Sequence, residues 1–333
     1  MKEIIQSLPD QIDETLKLMK NINWTAFRGA TSNRNFERVL ICGMGGSGIS
    51  GEIVSALYPE LDVVVSHDYE IFKLKGRRTI SILISYSGNT EETITNYKIL
   101  KKNRIPVITI SSDGELLKRT ALVKFKIPPG LPPRGALGYL FTPIPVFLFK
   151  IGMIKSNPEY SLHKLSLFLK EERGNLESRG SSIARGLAGN LPVIYSNSYP
   201  FSIVANRWRC QLNENAKILC HTNIIPEMNH NEIVGLGRPE NFNKNLTIIF
   251  LNDPDAHPRN KKRVQISKEI ISNGIPEVKM IDVNPIGGNL LERIFWTIML
   301  GDFVSYFLAI ENGIDPMPVK RIDYLKQRLA DRK

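Results

Sequence analysis

Residues 79–100 read TISILISYSGNTEETITNYKIL, and they indicate the class of fold. The run TISILI (79–84) is short and apolar, which predicts a buried strand. The run TITNYKIL (93–100) predicts a helix, and Asn89 with Glu92 three residues later resembles a capping box at its start. A strand that leads through a short turn into a helix is the repeating unit of an α/β sheet.

The turn between this strand and helix carries three hydroxyls. Ser85, Ser87 and Thr90 stand beside a glycine where the helix begins. The first turn of a helix has unpaired backbone N–H groups and the positive end of the helix dipole. A phosphate binds at such a place without a metal and with few positive side chains. The alternative is an ordinary turn rich in serine and glycine that caps the helix.

A second glycine-rich turn follows the short apolar strand VLIC (39–42). It reads GMGGSGISG (43–51), leads into a predicted helix and contains the hydroxyl of Ser47. Two hydroxyl-bearing glycine turns on nearby strands favour one sugar-phosphate site. The expected phosphate-binding residues are Gly45, Gly46, Ser47, Ser85, Ser87 and Thr90.

The first turn also satisfies the dinucleotide-binding pattern G-x-G-x-x-G, through Gly43, Gly45 and Gly48. That interpretation requires an acidic residue about 20 residues further on, to contact the ribose. Asp62 and Asp68 bracket this distance, so the dinucleotide site stays an alternative. The P-loop of nucleotide triphosphatases, G-x-x-x-x-G-K-[ST], occurs at neither turn.

The same alternation of strands and helices occurs twice along the chain. In the first half, the expected strands are 39–42, 61–65, 79–84, 106–110 and 122–125. In the second half, the expected strands are 192–196, 217–221, 246–251 and 277–283, with helices near 200–212, 258–273 and 290–310. The charged segment 155–180 predicts a helical link, and 319–329 an amphipathic closing helix. This pattern predicts parallel sheets covered on both faces, in two domains at 1–153 and 154–333.

Length and composition are typical of a globular protein with two domains. The chain has 333 residues, of which 42% are hydrophobic and 23% charged. Its net charge of +11 indicates either a nucleic-acid partner or attraction of a small anionic substrate. The basic residues are scattered, the densest run is KKR (261–263), and no nucleic-acid motif accompanies it. We therefore expect a small anionic substrate and no nucleic-acid partner.

The cysteines, the N-terminus and the longest apolar run predict a cytoplasmic protein without a membrane span. The three cysteines lack metal or disulfide spacing, which suggests a reducing compartment. Residues 1–20 are amphipathic and of mixed charge, unlike a signal peptide. The apolar run 294–310 is broken by Asp302, which favours a buried helix over a membrane span.

Five segments, in order across most of the chain, resemble the bifunctional phosphoglucose/phosphomannose isomerases of the phosphoglucose isomerase superfamily. They are GMGGSGISG (43–51), SYSGNTEET (85–93), PPRGALGYL (132–140), NENAK (213–217) and PEMNHNEIVG (226–235). The resemblance implies two sugar isomerase (SIS) domains, each a five-stranded parallel sheet between helices in an αβα sandwich. It also implies hexose 6-phosphate substrates, no cofactor, and a homodimer whose active sites lie at domain and subunit interfaces.

The chemistry of such an enzyme requires particular residue types. Aldose–ketose isomerisation moves a proton between C2 and C1 of an opened sugar. One base must reach both carbons, another group must stabilise the enediolate, and an acid/base must open the ring. Glu214, in NENAK, matches the family position of the base. On residue type alone, Glu214 is instead an exposed helix-end glutamate paired with Lys217.

His230, in PEMNHNEIVG, is by resemblance the group that opens the ring, and the partner subunit would contribute it. Imidazole titrates near neutrality and can therefore give or take a proton at the ring oxygen. The alternative is a structural or surface histidine, and His221 is the main competitor in sequence. The histidines lack the ligand spacing of a zinc site, so we expect no metal, unlike the zinc-dependent class of mannose-phosphate isomerases.

Two cationic residues complete the expected catalytic set. Arg134 follows Pro132 and Pro133, which stiffen its approach, and its guanidinium suits a developing enediolate oxygen. The family uses a lysine of the terminal helix near the ring oxygen, and Lys326 matches it best, with Lys320 second. The ordinary interpretations are an arginine at a loop and a solvated helix lysine.

These observations predict a metal-independent isomerase that interconverts glucose 6-phosphate, or mannose 6-phosphate, with fructose 6-phosphate through a cis-enediol. The alternative is a regulatory protein that binds sugar phosphates without turnover. Such a regulator would need a DNA-binding element, and the sequence contains no motif for one.

Overall fold

The computed structural model describes residues 1–32, 34–72 and 78–331, which pack into two compact units. The N-terminal unit comprises Glu3–Arg173 and Ile286–Trp296. The C-terminal unit comprises Met1–Lys2, Gly174–Pro285 and the chain from Thr297 onward. The domain boundary expected between residues 153 and 154 stays a prediction.

The N-terminal unit is built on a five-stranded parallel sheet. Its strands are β1 (Arg38–Cys42), β2 (Asp62–Ser66), β3 (Thr79–Ile84), β4 (Val107–Ser111) and β5 (Val123–Lys126). The helices along this part of the chain are α1 (Lys2–Gln6), α2 (Leu8–Met19), α3 (Trp24–Thr31), α4 (Gly46–Leu57), α5 (Glu91–Lys102), α6 (Glu115–Lys118), α7 (Leu137–Phe141) and α8 (Pro143–Lys150). The predicted parallel sheet is confirmed, and each strand lies within about one residue of its expected position.

The order of this sheet is β2-β1-β3-β4-β5, so β1 and β3 are neighbours inside it. Every residue of β1, β3 and β4 is buried. Strands that are apolar on both faces are typical of a parallel sheet between two helix layers. The carboxyl ends of β1 and β3 therefore meet at one edge of the sheet, where loops can form a site.

The C-terminal unit contains a second parallel sheet, in the order β7-β6-β8-β9. Its strands are β6 (Leu191–Ser196), β7 (His221–Ile224), β8 (Leu246–Leu251) and β9 (Lys279–Val283). The remaining helices are α9 (Glu159–Leu187), α10 (Tyr199–Gln211), α11 (Glu232–Gly235), α12 (Pro258–Gly274), α13 (Leu290–Glu311) and α14 (Lys320–Ala330). A unit boundary falls inside α9 and another inside α13.

The second sheet corrects two expectations. The expectation of five strands is wrong, because four strands pair in this sheet within the described chain. After β9 the chain passes Pro285, which has no N–H to donate to a ladder, and then enters α13. The strand expected at 217–221 begins only at His221, because Lys217 takes the left-handed backbone conformation (φ 58°) that ends a helical turn.

Of the described helices, α13 is the one long and apolar enough to cross a membrane by length and composition. However, 78% of its most apolar 18-residue window is buried inside the protein. Asp302 interrupts the run and lies 3.1 Å from Arg207, measured from Oδ2 to Nη2. The helix thus has the burial that the sequence predicts.

Candidate active site

The two glycine-rich turns lie together at one edge of the N-terminal sheet. Each follows the carboxyl end of a central strand, and Cys42 of β1 is opposite Leu83 of β3 in parallel register. The first turn leads from β1 into α4, and the second leads from β3 into α5. Both helices therefore direct the positive ends of their dipoles toward this edge, which suits an anion.

The first turn needs glycine for its backbone. Gly45 has a φ of 52°, which a residue with a side chain adopts only under strain, and it directly precedes α4. Gly46 is the first residue of the helix, and Ser47 is the second. Ser47 is only 5% exposed, and among the described residues its hydroxyl has no hydrogen-bond partner. The arrangement leaves this hydroxyl available at the start of α4.

The second turn presents its hydroxyls at different depths. Ser85 is buried, Thr90 is half-buried and Ser87 is exposed. The hydroxyl oxygens of Ser85 and Thr90 are 2.8 Å apart, so one donates to the other. The Ser87 hydroxyl accepts a hydrogen bond from the Asn89 N–H at 3.3 Å. The exposed Ser87 hydroxyl is therefore the most accessible to a ligand. The buried Ser85 hydroxyl instead holds the Thr90 side chain by their hydrogen bond.

The predicted capping box at this helix is wrong. Helix α5 begins at Glu91, so Thr90 and not Asn89 precedes its first residue. The side-chain oxygen of Asn89 instead accepts the N–H of Glu115 at 3.0 Å, on the segment that follows β4. Asn89 therefore ties the turn to the neighbouring loop.

Asp62 lies at the wrong end of the sheet for the dinucleotide alternative. It is the first residue of β2, at the amino end, and its Oδ2 accepts a hydrogen bond from Arg38 Nε at 3.0 Å. The glycine turn stands at the opposite, carboxyl end of β1. Asp68 does follow β2 at that end, but its side chain accepts the N–H of Tyr69 at 2.6 Å. Only Asp68 is thus left for a ribose contact.

Arg134 lies on a 3₁₀ turn, Pro133–Gly135, and is 5% exposed. The side chain of Gln11 on α2 holds the adjoining backbone at two points. Its amide nitrogen donates to the carbonyl of Gly135 at 2.8 Å, and its oxygen accepts the N–H of Gly138 at 3.1 Å. Gln11 is itself 1% exposed, so this clamp is internal and fixes the turn that carries the guanidinium.

In the C-terminal unit, Glu214 lies on a π-helical turn. The turn, Leu212–Ala216, directly continues α10 and leaves Glu214 half-buried. π-Helical turns inside or at the end of α-helices occur frequently at functional sites. The Lys217 amino group donates to the main-chain carbonyl of Glu214.

A buried polar network supports this turn from α13. The Asn215 amide donates to the hydroxyl of Ser305 at 2.9 Å, and that hydroxyl donates to the carbonyl of Asp302 at 2.7 Å. Asn215 and Ser305 are both fully buried. A buried amide held in this way fixes the backbone on which Glu214 stands, since an unmade hydrogen bond there is costly.

His230 is exposed at the end of a 3₁₀ turn, Glu227–His230. Its neighbours anchor the turn. Met228 is fully buried in the core of the C-terminal unit, and the Asn229 amide donates to Ser267 Oγ at 2.8 Å. The segment is thus held firmly while the imidazole faces outward.

Glu232, two residues further on, is the centre of a polar cluster. Its carboxylate accepts hydrogen bonds from the Tyr195 hydroxyl at 2.6 Å and the Asn223 amide at 2.5 Å, and it lies 3.0 Å from His221 Nε2. Burial raises the pKa of Glu232, but the hydrogen bonds from Asn223, Tyr195 and His221 outweigh burial and hold it below the ordinary value. Glu232 therefore ties the His230 segment to β6 and β7, and it engages His221, the competitor histidine.

Lys320 and Lys326 are both on α14, and both are exposed. Lys320 is the first residue of the helix, and Lys326 lies nearly two turns further on. The choice of Lys326 over Lys320 stays a prediction.

Each unit thus holds part of the predicted site. The N-terminal unit holds the phosphate turns and Arg134, and the C-terminal unit holds Glu214, His230 and both lysines. Sequence reasoning missed two supporting residues, Gln11 and Glu232. Glu232 lies inside the segment PEMNHNEIVG, whereas nothing local distinguishes Gln11 on its amphipathic helix. Among the described residues, no group of three or more His, Cys, Asp or Glu side chains could hold a metal ion.

Comparisons with known proteins identify relatives of this chain. A sequence model of the bacterial phospho-glucose isomerase C-terminal SIS domain matches residues 176–329. The chain is 34% identical to a bifunctional phosphoglucose/phosphomannose isomerase of Caldicellulosiruptor bescii, over 99% of both proteins. It is 33% identical to a protein of the same name from Thermoplasma acidophilum, over 96% of this chain and 98% of that protein. The fold is similar to the C-terminal domain of glucosamine-fructose-6-phosphate aminotransferase from Francisella tularensis, with a TM-score of 0.69, 16% identity, and coverage of 94% of this chain and 95% of that one.

Proposed function

We propose, because this chain belongs to the family of bifunctional phosphoglucose/phosphomannose isomerases, that it interconverts glucose 6-phosphate and mannose 6-phosphate with fructose 6-phosphate. The observation that carries the proposal is the 34% identity over 99% of the chain. The two hydroxyl-bearing turns at one sheet edge support it, since helix starts with nearby hydroxyls suit the phosphate of the substrate.

In the proposed mechanism, Glu214 carries the proton between C2 and C1 through a cis-enediol. Its place on a turn held by a buried network supports this role, because a base must keep its position relative to both carbons. Arg134 stabilises the charge that develops on the enediolate oxygen. The burial of its guanidinium and the Gln11 clamp support this role, because a preorganised charge in a dry site stabilises the transition state most.

His230 is proposed to open the sugar ring, with Lys326 placed near the ring oxygen. The support for His230 is its exposure on an anchored turn, which leaves the imidazole accessible to a substrate or a second subunit. An imidazole exchanges protons readily near neutral pH. Lys320 is the other lysine that could take the place of Lys326.

The direct test is conversion of each substrate by the purified protein. We expect fructose 6-phosphate to form from glucose 6-phosphate and from mannose 6-phosphate, in the presence of excess chelator. Binding of both sugar phosphates without conversion would instead indicate the regulatory protein. Activity that chelator abolishes and zinc restores would contradict a metal-independent mechanism.

Ser87→Ala is expected to raise KM about 10- to 100-fold and to change kcat little. A hydrogen bond to a charged group contributes roughly 1.5–3 kcal/mol, and about 1.4 kcal/mol corresponds to a factor of ten. The phosphate is remote from the reacting carbons. Loss of one hydrogen bond to it therefore weakens binding of the substrate and of the transition state equally. Steady-state kinetics measure the effect, and Ser32→Ala, an exposed serine of α3's C-terminus in the same unit, is the control. An unchanged KM for Ser47, Ser85, Ser87 and Thr90 alanine variants would remove the proposed phosphate site.

We further propose that the protein is a homodimer of the cytoplasm, with His230 donated across the subunit interface. Exposed apolar side chains near His230 in sequence support an interface there, because Val234 is 85% exposed and Phe242 is 55% exposed. The cytoplasmic location rests on the cysteine pattern of the sequence.

Mixing two inactive variants tests the shared site. In a heterodimer of Glu214→Gln and His230→Ala chains, one site would contain both defects and the other neither. An equal mixture after subunit exchange should therefore recover about a quarter of the wild-type activity. The readout is turnover of glucose 6-phosphate, with subunit exchange verified by tags of different mass. No recovery in verified heterodimers would place both residues in one chain's site.

A further inference from the structure

The segment after β2 places a histidine against the first phosphate turn. His67 directly follows Ser66, the last residue of β2, whose carbonyl accepts the N–H of Gly43 at 3.2 Å. A Cβ atom added to Gly48 would come within 2.3 Å of His67 Cε1, so the imidazole lies directly on this glycine. Any side chain at Gly48 would displace the ring. The mechanism proposed above gives His67 no role.

Hydrogen-bond acceptors stand beside both nitrogens of this imidazole. Nε2 lies 2.9 Å from Glu52 Oε1 on α4. The other nitrogen, Nδ1, lies on the side of Gly48, and the Gly43 carbonyl acts on the imidazole as a hydrogen-bond acceptor. An imidazole between two acceptors satisfies both when each nitrogen carries a proton, which makes it a cation.

The electrostatic surroundings agree with a cation at this position. The hydrogen bond to Glu52 raises the pKa of His67 above its ordinary value, burial opposes this, and the Glu52 charge and the Gly43 carbonyl add to the increase. The segment also lies near α5, where the Tyr69 hydroxyl donates to Glu91 Oε2 at 3.4 Å.

Among the described residues, the charged groups that act on Tyr69 in this segment are carboxylates. Asp68, Glu91 and Glu92 all act on Tyr69, and Glu70 completes the loop. Among the described residues, Glu52 is the carboxylate that acts on the imidazole itself. A cation at His67 therefore places a positive charge beside a phosphate dianion bound at the turn 43–48.

We propose that His67 is a charged positioning residue for substrate phosphate: it clamps the turn 43–48 between β2 and α4 and adds a positive charge beside it. The inference rests on the proposed function, since it assigns this turn to the phosphate of a hexose 6-phosphate. It makes phosphate affinity depend on pH. As the pH rises through the elevated pKa of His67, the imidazole loses its charge and affinity falls.

The test uses an acyclic hexitol 6-phosphate as a competitive inhibitor, because this probe carries the phosphate but needs no ring opening. Its inhibition constant is measured from pH 7 to 9, where a phosphate ester with a second pKa of about 6 stays dianionic. For the wild type, we expect the inhibition constant to increase by about 3- to 10-fold in total as His67 loses its proton. His67→Gln, which retains a donor without the charge, should give a raised and nearly pH-independent constant with kcat little changed.

Two further variants make the test specific. Glu52→Gln removes the carboxylate that raises the pKa of His67, so the increase in the inhibition constant should move to lower pH. His163→Gln is the matched control, because His163 also pairs with a carboxylate, Asp13, at 3.1 Å, but on α9 and α2. This control should keep the wild-type profile, and thermal unfolding verifies that each variant is folded.

The outcomes separate this inference from the proposed function. Wild-type conversion together with identical pH profiles for the wild type and His67→Gln would overturn the role of His67 alone. A fall in kcat for His67→Gln without a change in the inhibition constant would also overturn it. A wild-type protein that neither converts hexose 6-phosphates nor binds the hexitol phosphate would remove both.

Discussion

Glu214→Gln is expected to lower turnover of glucose 6-phosphate by about 10²- to 10⁴-fold, the usual contribution of a positioned general base. Glutamine has nearly the shape of glutamate but cannot accept the proton from C2. Substrate binding should be retained, because the phosphate turns and Arg134 belong to other parts of the chain. The expected signature is therefore a large loss in kcat with a small change in KM.

Exchange of the C2 hydrogen with deuterated solvent measures the proton transfer itself. The wild type should exchange this hydrogen, and Glu214→Gln should not within the same time. Glu277→Gln, an exposed glutamate of the same unit, is the matched control and should exchange normally. If Glu214→Gln exchanges at the wild-type rate, another residue is the base.

The strand positions of the N-terminal sheet could be predicted because the signal is local. β3 consists of six consecutive buried residues, and such a run has no amphipathic helical period. The turn that follows contains a residue typical of turns, Gly88. This glycine has a φ of 70° and almost no room for a side chain beside the Asp113 carbonyl. Composition and spacing were therefore sufficient for the first sheet and for the position of its glycine-rich turns.

The supporting contacts could not be predicted, because they join residues far apart in sequence. Asn215 and Ser305 are 90 residues apart, and Gln11 contacts Gly138 across 127 residues. The π-helical turn under Glu214 is stabilised by the first of these contacts, so no local pattern indicates it. The contact of Asn89 could not be predicted for the same reason. Its side chain accepts a hydrogen bond from the Glu115 N–H and does not cap the helix that follows it.

The number of strands in the second sheet shows a limit of prediction from a family resemblance. The residues themselves indicated four strands there, and the resemblance implied a fifth. The chain turns from β9 into α13 through a proline-containing segment. The residue pattern therefore predicted the number of strands correctly, whereas the resemblance did not.

Asp302→Leu is expected to destabilise the C-terminal unit by about 3–5 kcal/mol, the usual cost of leaving one member of a buried ion pair without the other. Arg207 is 1% exposed and Asp302 is 6% exposed, so water cannot replace the lost partner. Burial also raises the pKa of Asp302, although Arg207 acts to lower it, because a charged carboxylate is costly in the core. Urea unfolding measures the effect, and Glu311→Ala, which removes an exposed carboxylate of the same helix, should change the midpoint little.

A double variant, Arg207→Met with Asp302→Leu, decides whether the loss of stability comes from breaking the ion pair or from the change in packing volume. Arg207→Met alone should also be destabilising, because it leaves the Asp302 carboxyl buried in the core without its partner. Combining it with Asp302→Leu replaces both charges by apolar groups, so the double variant should be more stable than either single variant. Losses that simply add would contradict the ion-pair explanation and would indicate that packing volume alone determines the loss of stability.

The ion pair is also linked to the turn of Glu214, because Ser305 joins the Asp302 carbonyl to Asn215. A double variant that is stable but slow would therefore show that the buried charges position the turn of Glu214 as well as the helix.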